Sequence, residues 1–190
     1  MSGRDDKKIG FLVSGRGSNM AAVLEEIAAG RLKAEARVAI SDNPEAPALA
    51  LASGRGLPAV TIERKNFPRR QEFEEALVRV LKEHGVGLVV LAGFMRLLGP
   101  TLLSAFPGRI INIHPSLLPA FPGLEAQRQA LEYGVKIAGC TVHYVNEVMD
   151  GGRIIAQAAV PVEPDDTAES LGARILTQEH RLLALAIAGL

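Results

Sequence analysis

The chain has 190 residues, of which 48% are hydrophobic and 22% are charged, as expected of a globular domain with a full core. Lysine plus arginine and aspartate plus glutamate balance at 21 each, which gives no electrostatic reason to expect a nucleic-acid or membrane partner. The single cysteine, Cys140, excludes an internal disulfide framework and a multi-cysteine metal site, and this usage fits a reducing cytoplasm. We expect Cys140 to be a small core residue.

Seven segments have the short apolar runs that are typical of strands. The predicted strands are Ile9–Val13, Arg37–Ile40, Ala59–Ile62, Leu88–Ala92, Ile110–Ile113, Ile137–Val145 and Ile154–Val162. The first five are short apolar runs, which indicates strands that are buried on both faces of a sheet.

Four segments carry the spacing of apolar residues that predicts helices. They are Met20–Ala29, Ala46–Ser53, Arg69–His84 and a final helix that ends at about Ala188. Ser18-Asn19 can cap the first of them, and Gly85 ends the third. Asp166-Thr167-Ala168-Glu169 resembles a capping box and predicts the start of the last helix.

The order of these elements predicts the architecture of the sheet. Strands and helices alternate through the first ~110 residues, which is typical of a parallel, doubly wound sheet. Residues 141–145 alternate as in a half-buried strand, and Asp150-Gly151-Gly152 has the chemistry of a hairpin turn before Ile154. We therefore predict an α/β fold whose mainly parallel sheet has an antiparallel or mixed C-terminal portion.

A glycine-rich turn, Ser14-Gly15-Arg16-Gly17-Ser18-Asn19, follows the first strand and leads into the first helix. Its glycines free the backbone to bring several N–H groups together, and the positive end of the helix points at the same place. Met20 replaces the third glycine of a dinucleotide fingerprint, and no Gly-Lys-Ser/Thr of a P-loop occurs. The turn therefore favours a single phosphate monoester, although it is also compatible with a plain βα turn.

Asn112 and His114 stand two residues apart at the end of the fifth predicted strand, so both side chains leave on the same side. A Pro-rich loop follows at once, and the ends of buried strands are where open α/β sheets keep their chemistry. Histidine can act as an acid or a base near neutral pH, and an amide can donate to a carbonyl oxygen that gains negative charge. The alternative is a structural Asn–His pair that holds the loop.

Asp150 is a good turn residue, and its position can be explained in that way alone. If the turn folds over the sheet edge near His114, its carboxylate would stabilise the charged imidazole, which could then donate a proton. Of the other histidines, we expect His84 near a helix C-terminus, His143 half-exposed on a strand and His180 within the last helix. Their spacing matches no metal motif, so no metal site is expected.

Met95, Leu97 and Leu98 follow the fourth predicted strand. They could belong to the core or line an apolar slot for a ligand beside the strand, and the sequence does not choose between the two.

Five motifs resemble those of the phosphoribosylglycinamide formyltransferases, a folate-dependent family of purine synthesis. They are Ser14-Gly-Arg-Gly-Ser-Asn-Met20, Leu91-Ala-Gly-Phe-Met-Arg96, Asn112-Ile-His-Pro-Ser-Leu-Leu-Pro119, Asp150-Gly-Gly and Thr177-Gln-Glu-His180. The resemblance implies the Rossmann-like formyltransferase fold, with a single domain over residues 1–190. A phosphate-binding lobe (about 1–110) and a folate-binding, catalytic lobe (about 111–190) would share one sheet.

The resemblance also implies roles for individual residues and a set of partners. The catalytic residues would be Asn112, His114 and Asp150. The phosphoribosylglycinamide would be bound by Gly17, Ser18, Asn19 and Glu179. The folate would be bound by Arg70, Met95, Arg96, Leu97, Leu98, Asn112, Asn146, Glu147, Val148, Met149 and Asp150. The co-substrate would be 10-formyltetrahydrofolate without a metal, and the chain would be a cytoplasmic monomer or homodimer with no nucleic-acid or membrane partner.

In the implied reaction, the glycinamide amine attacks the formyl carbon, and Asn112, His114 and Asp150 stabilise the tetrahedral intermediate. Two other interpretations stay open. One is a formyltransferase for another amine, such as methionyl-tRNA or a sugar nucleotide, although the methionyl-tRNA enzymes usually have a second domain and a basic face. The other is a non-catalytic module that binds a phosphoribosyl ligand without turnover.

Overall fold

A seven-stranded sheet forms the body of the protein, of which the computed structural model describes residues 7–190. Its strands are β1 (Lys8–Val13), β2 (Glu35–Ser41), β3 (Ala59–Thr61), β4 (Leu88–Leu91), β5 (Ile110–His114), β6 (Ile137–Tyr144) and β7 (Ile154–Pro161). Their order is β3-β2-β1-β4-β5-β6-β7. The pairs among β1 to β5 are parallel, and β6 pairs antiparallel with β5 and β7. The predicted mixed sheet is confirmed, while residues 1–6 of the expected domain lie outside the described residues.

Helices connect most of the strands. Within residues 7–190 the α-helices are α1 (Ser18–Ala28), α2 (Pro47–Gly54), α3 (Arg70–Glu83), α4 (Pro100–Ala105), α5 (Ala126–Tyr133) and α6 (Ala168–Gly189), and a 3-10 helix covers Arg64–Asn66. The sequence predicted four of them and missed α4 and α5, which are 6 and 8 residues long. Such short helices show little of the 3.6-residue period, so their formation depends on tertiary contacts. No helix in the described part of the chain is long and apolar enough to cross a membrane.

The start of α4 shows one of these tertiary contacts. Glu74 on α3 is 2% exposed, and its carboxylate accepts hydrogen bonds from the backbone N–H groups of Gly99 and Leu102. A carboxylate satisfies and neutralises the positive end of a helix. Because Glu74 precedes these groups by at least 25 positions, no local pattern could indicate the helix.

Two apolar clusters cover the two faces of the sheet. Ile111 and Ile113 of β5 belong to the cluster packed by α1 and α6, whereas Ile110 belongs to the cluster packed by α3 and α4. Successive side chains of a strand point to opposite faces. Asn112 and His114 therefore share the face of Ile110, as their spacing predicts.

The last helix begins with a capping box that differs from the predicted one. Thr167 is its N-cap and accepts a hydrogen bond from the Ser170 N–H (3.2 Å), while Ser170 Oγ accepts one from the Thr167 N–H (2.9 Å). The predicted pairing of Asp166 with Glu169 is therefore wrong, because serine takes the role expected of glutamate. Asp166 instead pairs with Arg174 at 2.7 Å, which holds the pKa of that carboxyl well below its usual range.

Cys140 lies in β6 with no exposed surface, as expected of a core residue. Burial raises the pKa of its thiol to about 12. The thiol is therefore protonated and unreactive near neutral pH.

Candidate active site

The end of β5 and the loop between β6 and β7 bring a histidine and a carboxylate together. His114 is the last residue of β5, and Asp150 lies in the loop in a left-handed conformation (φ 52°). Asp150 Oδ2 is 3.6 Å from His114 Nδ1 and accepts a hydrogen bond from the Gly123 N–H (2.8 Å). Their side chains are only 12% and 7% exposed, respectively. The turn thus folds over the sheet edge, as the catalytic hypothesis for Asp150 requires.

A backbone carbonyl orients the other side of the His114 ring. Nε2 lies 2.9 Å from the backbone oxygen of Phe121, which can only accept, so Nε2 carries a proton. Nδ1 faces Asp150, where a second proton would produce an imidazolium beside a carboxylate. The contact with Phe121 also ties the Pro-rich loop to the strand, so the structural role that was the alternative for this histidine is present as well.

His143 is a functional candidate that the sequence reasoning missed. The expectation that it is half-exposed is wrong, because it is 2% exposed. It stands opposite Asn112 in the β5–β6 pair, and its Nε2 accepts a hydrogen bond from Asn112 Nδ2 (3.2 Å). Nε2 is also 3.8 Å from Asp150 Oδ1. Burial lowers the pKa of His143, so this imidazole is neutral near pH 7.

The strand alternation around His143 could not reveal its burial. Alternation shows which residues share a face, and it does not show which face a distant loop covers. Here the Asp150 turn lies over that face, and only the tertiary structure displays it.

The glycine-rich turn ends in an uncapped helix start. The N-cap of α1 is Gly17 at φ 75°, and no side chain of the described residues caps the helix. The prediction that Ser18-Asn19 cap the helix is wrong, because both residues already belong to its first turn. The first N–H groups of α1 and the positive end of its dipole therefore remain able to bind an anion.

Asn19 and Glu179 bring distant parts of the chain to this helix start. Asn19 Nδ2 donates to Glu179 Oε2 (2.8 Å), and the residues are 9% and 6% exposed. Burial raises the pKa of the Glu179 carboxyl, while the Asn19 hydrogen bond and the charge of His114 act in the opposite direction. Asn19 Oδ1 has no hydrogen-bond partner within residues 7–190. The residues predicted for the nucleotide, with Gly17 and Ser18, thus lie together.

Two loops beside the His114–Asp150 pair expose large apolar side chains. In the loop after β4, Met95 and Leu97 are 67% and 63% exposed. In the β6–β7 loop, Val148 and Met149 are 65% and 52% exposed. Exposed apolar patches mark sites for ligands or partners, so these positions favour a ligand slot over a core role. Leu98 differs, because it is half-buried against the core cluster of α3 and α4.

Asn146 and Glu147 complete the predicted folate residues and are exposed in the β6–β7 loop. Asn146 Oδ1 accepts a hydrogen bond from the Val148 N–H (3.0 Å), which shapes the loop.

Buried carboxylates hold the two arginines that were predicted to bind folate. Arg96 donates from Nε to Asp42, which follows β2. Arg70 donates from Nε to Glu74 (2.9 Å) and from Nη2 to the carbonyl of Leu97 (2.7 Å). The arginine side chains remain 43% and 47% exposed, so they can still meet a ligand.

Asp42 and Glu74 were not singled out from the sequence. Asp42 had a usable signal, because it is a polar residue directly after a buried strand, where α/β sheets bind ligands. Glu74 had none, since it stands inside a helical pattern in which charged residues normally face solvent.

The arrangement combines an anion-binding helix start, an imidazole beside a carboxylate, an amide donor and an apolar slot. This set can bind a phosphorylated substrate, stabilise an oxyanion and move a proton. No group of three His, Cys, Asp or Glu side chains within residues 7–190 could hold a metal ion.

Comparison with known proteins places this arrangement in a family. The family model described as formyl transferase matches residues 7–187. The chain belongs to the formyl transferase family. The resemblance to formyltransferases that was inferred from the five motifs is thereby confirmed.

Individual relatives agree with this family. The phosphoribosylglycinamide formyltransferase of Bacillus subtilis is 45% identical, and the match covers 92% of this chain and 90% of that protein. The crystal structure of glycinamide ribonucleotide transformylase 1 from Symbiobacterium toebii has a TM-score of 0.94 and 52% identity, and the match covers 95% of this chain and 85% of that one. The trifunctional purine biosynthetic protein adenosine-3 of Drosophila melanogaster is 44% identical over 96% of this chain, which spans only 14% of that protein. The predicted formyltransferase fold is confirmed.

Proposed function

We propose that this formyl transferase moves the formyl group of 10-formyltetrahydrofolate to the amine of 5'-phosphoribosylglycinamide in purine biosynthesis. The observation that carries the proposal is the 3.6 Å approach of Asp150 Oδ2 to His114 Nδ1 at the sheet edge. The names of the relatives from Bacillus subtilis and Symbiobacterium toebii support the choice of substrate.

The nucleotide binds at the start of α1 in this proposal. The backbone around Gly17, Ser18 and Asn19 holds the phosphate, because no side chain within residues 7–190 caps its N–H groups. Glu179 accepts hydrogen bonds from the ribose. Asn19, which donates to Glu179 from Nδ2, has an Oδ1 with no hydrogen-bond partner among the described residues.

The folate occupies the slot between the loop after β4 and the β6–β7 loop. Its ring faces cover apolar side chains that are otherwise exposed, which removes apolar surface from water. The proposed contacts are Met95, Arg96, Leu97, Leu98, Asn112, Asn146, Glu147, Val148, Met149 and Asp150. Arg70, the first residue of α3, donates a hydrogen bond to the Leu97 carbonyl of the loop after β4, and its partly exposed guanidinium meets the negatively charged tail of the folate.

The chemistry is a direct transfer without a covalent enzyme intermediate. The amine attacks the formyl carbon, and negative charge develops on the formyl oxygen, to which Asn112 Nδ2 donates its second hydrogen. Protonated His114 gives its proton to the folate nitrogen as the carbon–nitrogen bond to folate breaks, and it takes up the proton that the amine loses. Asp150 orients the imidazole and stabilises its charge.

An acceptor comparison tests this function. Release of tetrahydrofolate from 10-formyltetrahydrofolate is followed by absorbance with phosphoribosylglycinamide, methionyl-tRNA or an amino sugar nucleotide as the acceptor. Of these three acceptors, we expect only phosphoribosylglycinamide to support turnover. Preference for another acceptor would assign a different formyl transfer, and binding of the nucleotide without turnover would assign a non-catalytic module.

We also propose the wider setting that the sequence suggests. Residues about 1–110 form a lobe that binds the phosphate, and residues about 111–190 form a lobe that binds folate and carries the catalytic groups. The two lobes share one sheet, and each also contributes to the other site: Arg70 and residues 95–98 contact the folate, and Glu179 contacts the nucleotide. The chain acts in the cytoplasm as a monomer or homodimer, with small molecules rather than nucleic acid or membranes as its partners.

A further inference from the structure

Asp42 lies where three parallel strands end, outside the residues assigned to either substrate. It directly follows β2, which lies beside β1 and is separated by β1 from β4. Its side chain is 6% exposed, and both of its carboxylate oxygens are engaged. A buried carboxylate with both oxygens paired has a positioning role, because it has little surface left for a ligand.

One oxygen of Asp42 binds the end of β1. Ser14 Oγ donates to Asp42 Oδ1 (2.6 Å) and accepts a hydrogen bond from the backbone N–H of Met95 (3.0 Å). The serine hydroxyl therefore has a defined direction, with its proton toward Asp42 and its lone pair toward Met95. Through Ser14, Asp42 fixes the backbone at the start of the proposed folate slot.

The other oxygen of Asp42 binds Arg96, the next residue of the same loop. Arg96 donates from Nε, and its side chain remains 43% exposed. A charged hydrogen bond to a buried carboxylate orients the guanidinium more firmly than a pair exposed to solvent would. Two consecutive residues of the slot loop are thus tied to one carboxylate.

The turn that carries Asp42 is itself braced. Ser41 Oγ accepts from the Asn43 N–H (3.1 Å) and donates to the Asn43 carbonyl (2.9 Å), and Ser41 is fully buried. Asn43 Nδ2 donates to the carbonyl of Ser14 (3.4 Å). These bonds fix the position of Asp42, which can therefore hold the loop after β4 in place although that loop forms no helix or strand at Met95 and Arg96.

We propose that Asp42 is a positioning residue for folate, which acts through Arg96 and Ser14 on the loop that contains Met95, Leu97 and Leu98. The inference rests on the proposed function, since it takes that loop as the folate slot. Asp42 touches no reacting atom in this proposal, and its loss should affect folate affinity rather than the chemical step. A preformed loop reduces the entropy that binding must otherwise lose in ordering it.

Asp42→Asn separates the two contacts of the carboxylate. The amide oxygen can still accept from Ser14, but the amide NH2 group cannot accept from Arg96. We expect the KM for 10-formyltetrahydrofolate to rise about tenfold, because the coupling between two residues in direct contact is of this order. The kcat should stay within about threefold of wild type, and the KM for the nucleotide should not change. The control is Glu25→Gln, which breaks the exposed pair with Arg55 (2.8 Å) and should change none of the three constants.

A double-mutant cycle tests the route through Arg96. In an Arg96→Gln background, Asp42→Asn should raise the folate KM by less than twofold, because the partner is already absent. A full additional rise would overturn the proposed route. A folate KM within twofold of wild type in Asp42→Asn, or an equal rise of both substrate KM values, would overturn the proposal itself.

Two further measurements keep the test decisive. If Asp42→Asn does not fold, as judged by thermal unfolding, Ser14→Ala replaces it, and a folate KM within twofold of wild type in that variant overturns the proposal. If wild type shows no formyl transfer, the proposed function fails by itself, and calorimetric titration with tetrahydrofolate then compares wild type with Asp42→Asn. Weaker binding by the variant supports the role of Asp42, and equal binding rejects it.

Discussion

Asn112 Nδ2 and His143 Nε2 lie 3.2 Å apart across the antiparallel β5–β6 pair. The carbonyl of Tyr144 lies 2.9 Å from His143 Nδ1 and can only accept, so the proton of this neutral ring is on Nδ1. Nε2 is therefore an acceptor, and it fixes the Asn112 amide with its NH2 group toward His143. In the proposed reaction, the second hydrogen of this group is the one that is donated to the developing oxyanion.

We predict that His143→Ala lowers kcat about tenfold or more, because the Asn112 amide loses the contact that orients it. The effect should be smaller than the loss of about 10²–10³-fold that follows complete removal of an oxyanion donor. The KM for the nucleotide should not change. His143→Gln should recover part of the loss, since its side-chain oxygen can accept from Asn112. Steady-state kinetics measure both, with His84→Ala at the end of α3 as the control. An unchanged kcat in His143→Ala would show that Asn112 needs no such support.

Substitutions of the His114–Asp150 pair should act on turnover. We predict that His114→Ala and Asp150→Asn each lower kcat by about 10²–10³-fold, because the first removes the acid and the second removes the charge that stabilises it. Thermal unfolding checks that both variants are folded, and single-turnover rates isolate the chemical step. Near-normal turnover in His114→Ala would contradict the proposed mechanism.

Gly17 and Gly15 offer a matched pair in the phosphate turn. A Cβ on Gly17 would meet the Ala48 Cβ at 2.7 Å, and the substituted residue would have to keep φ at 75°. A Cβ on Gly15 would meet no atom of residues 7–190 within 4 Å. We predict that Gly17→Ala destabilises the fold by at least about 1–2 kcal/mol, the cost of left-handed backbone for a residue with a side chain. It should also raise the nucleotide KM far more than the folate KM.

Gly15→Ala should leave the unfolding temperature unchanged, and comparison of the two melting curves isolates the effect of conformation. Equal losses of affinity for both substrates in Gly17→Ala would count against a phosphate site at this turn.

Glu179 should make stability depend on pH. Burial raises the pKa of its carboxyl in the folded state, so its contribution to stability is present below the unfolded value of 4.5 and is lost as the pH rises through the folded value. We predict that Glu179→Gln has the same Tm as wild type at about pH 4 and a higher Tm than wild type at about pH 8. The difference should be about 2–4 °C for each 1 kcal/mol gained in the free energy of unfolding of a chain of this size. The nucleotide KM of this variant should rise, since a ribose contact is lost.

Glu83 is exposed, so Glu83→Gln serves as the control for this pH series and should have the same Tm as wild type at every pH. A difference between Glu179→Gln and wild type that is the same at pH 4 and pH 8 would contradict the role of the buried charge.

Local sequence was sufficient to locate the strands and the long helices. The expected burial on both faces is wrong for β3, because it is an edge strand whose residues are half-buried or exposed. The runs around Phe11, Val90 and Ile111 are apolar because these strands are covered on both faces, and α3 shows its period over 14 residues. The short α4 was missed because its N-terminal N–H groups are satisfied by Glu74, which comes from another helix. The cap of α1 was misplaced because Gly17, rather than a polar side chain, starts the helix.

The sequence by itself determined the order of the elements, the parallel and antiparallel parts of the sheet, and the residue types that can carry the chemistry. These features depend on periodicity and on short motifs, which are properties of neighbouring residues. Only the tertiary structure decided that Asp150 faces His114 and that His143 is buried against Asn112. It alone also decided that Asp42 pairs with Arg96 of the loop after β4 and that Glu74 binds the start of α4. Those relationships join residues tens of positions apart, and burial and charge pairing at such distances are settled by how the loops pack over the ends of the strands.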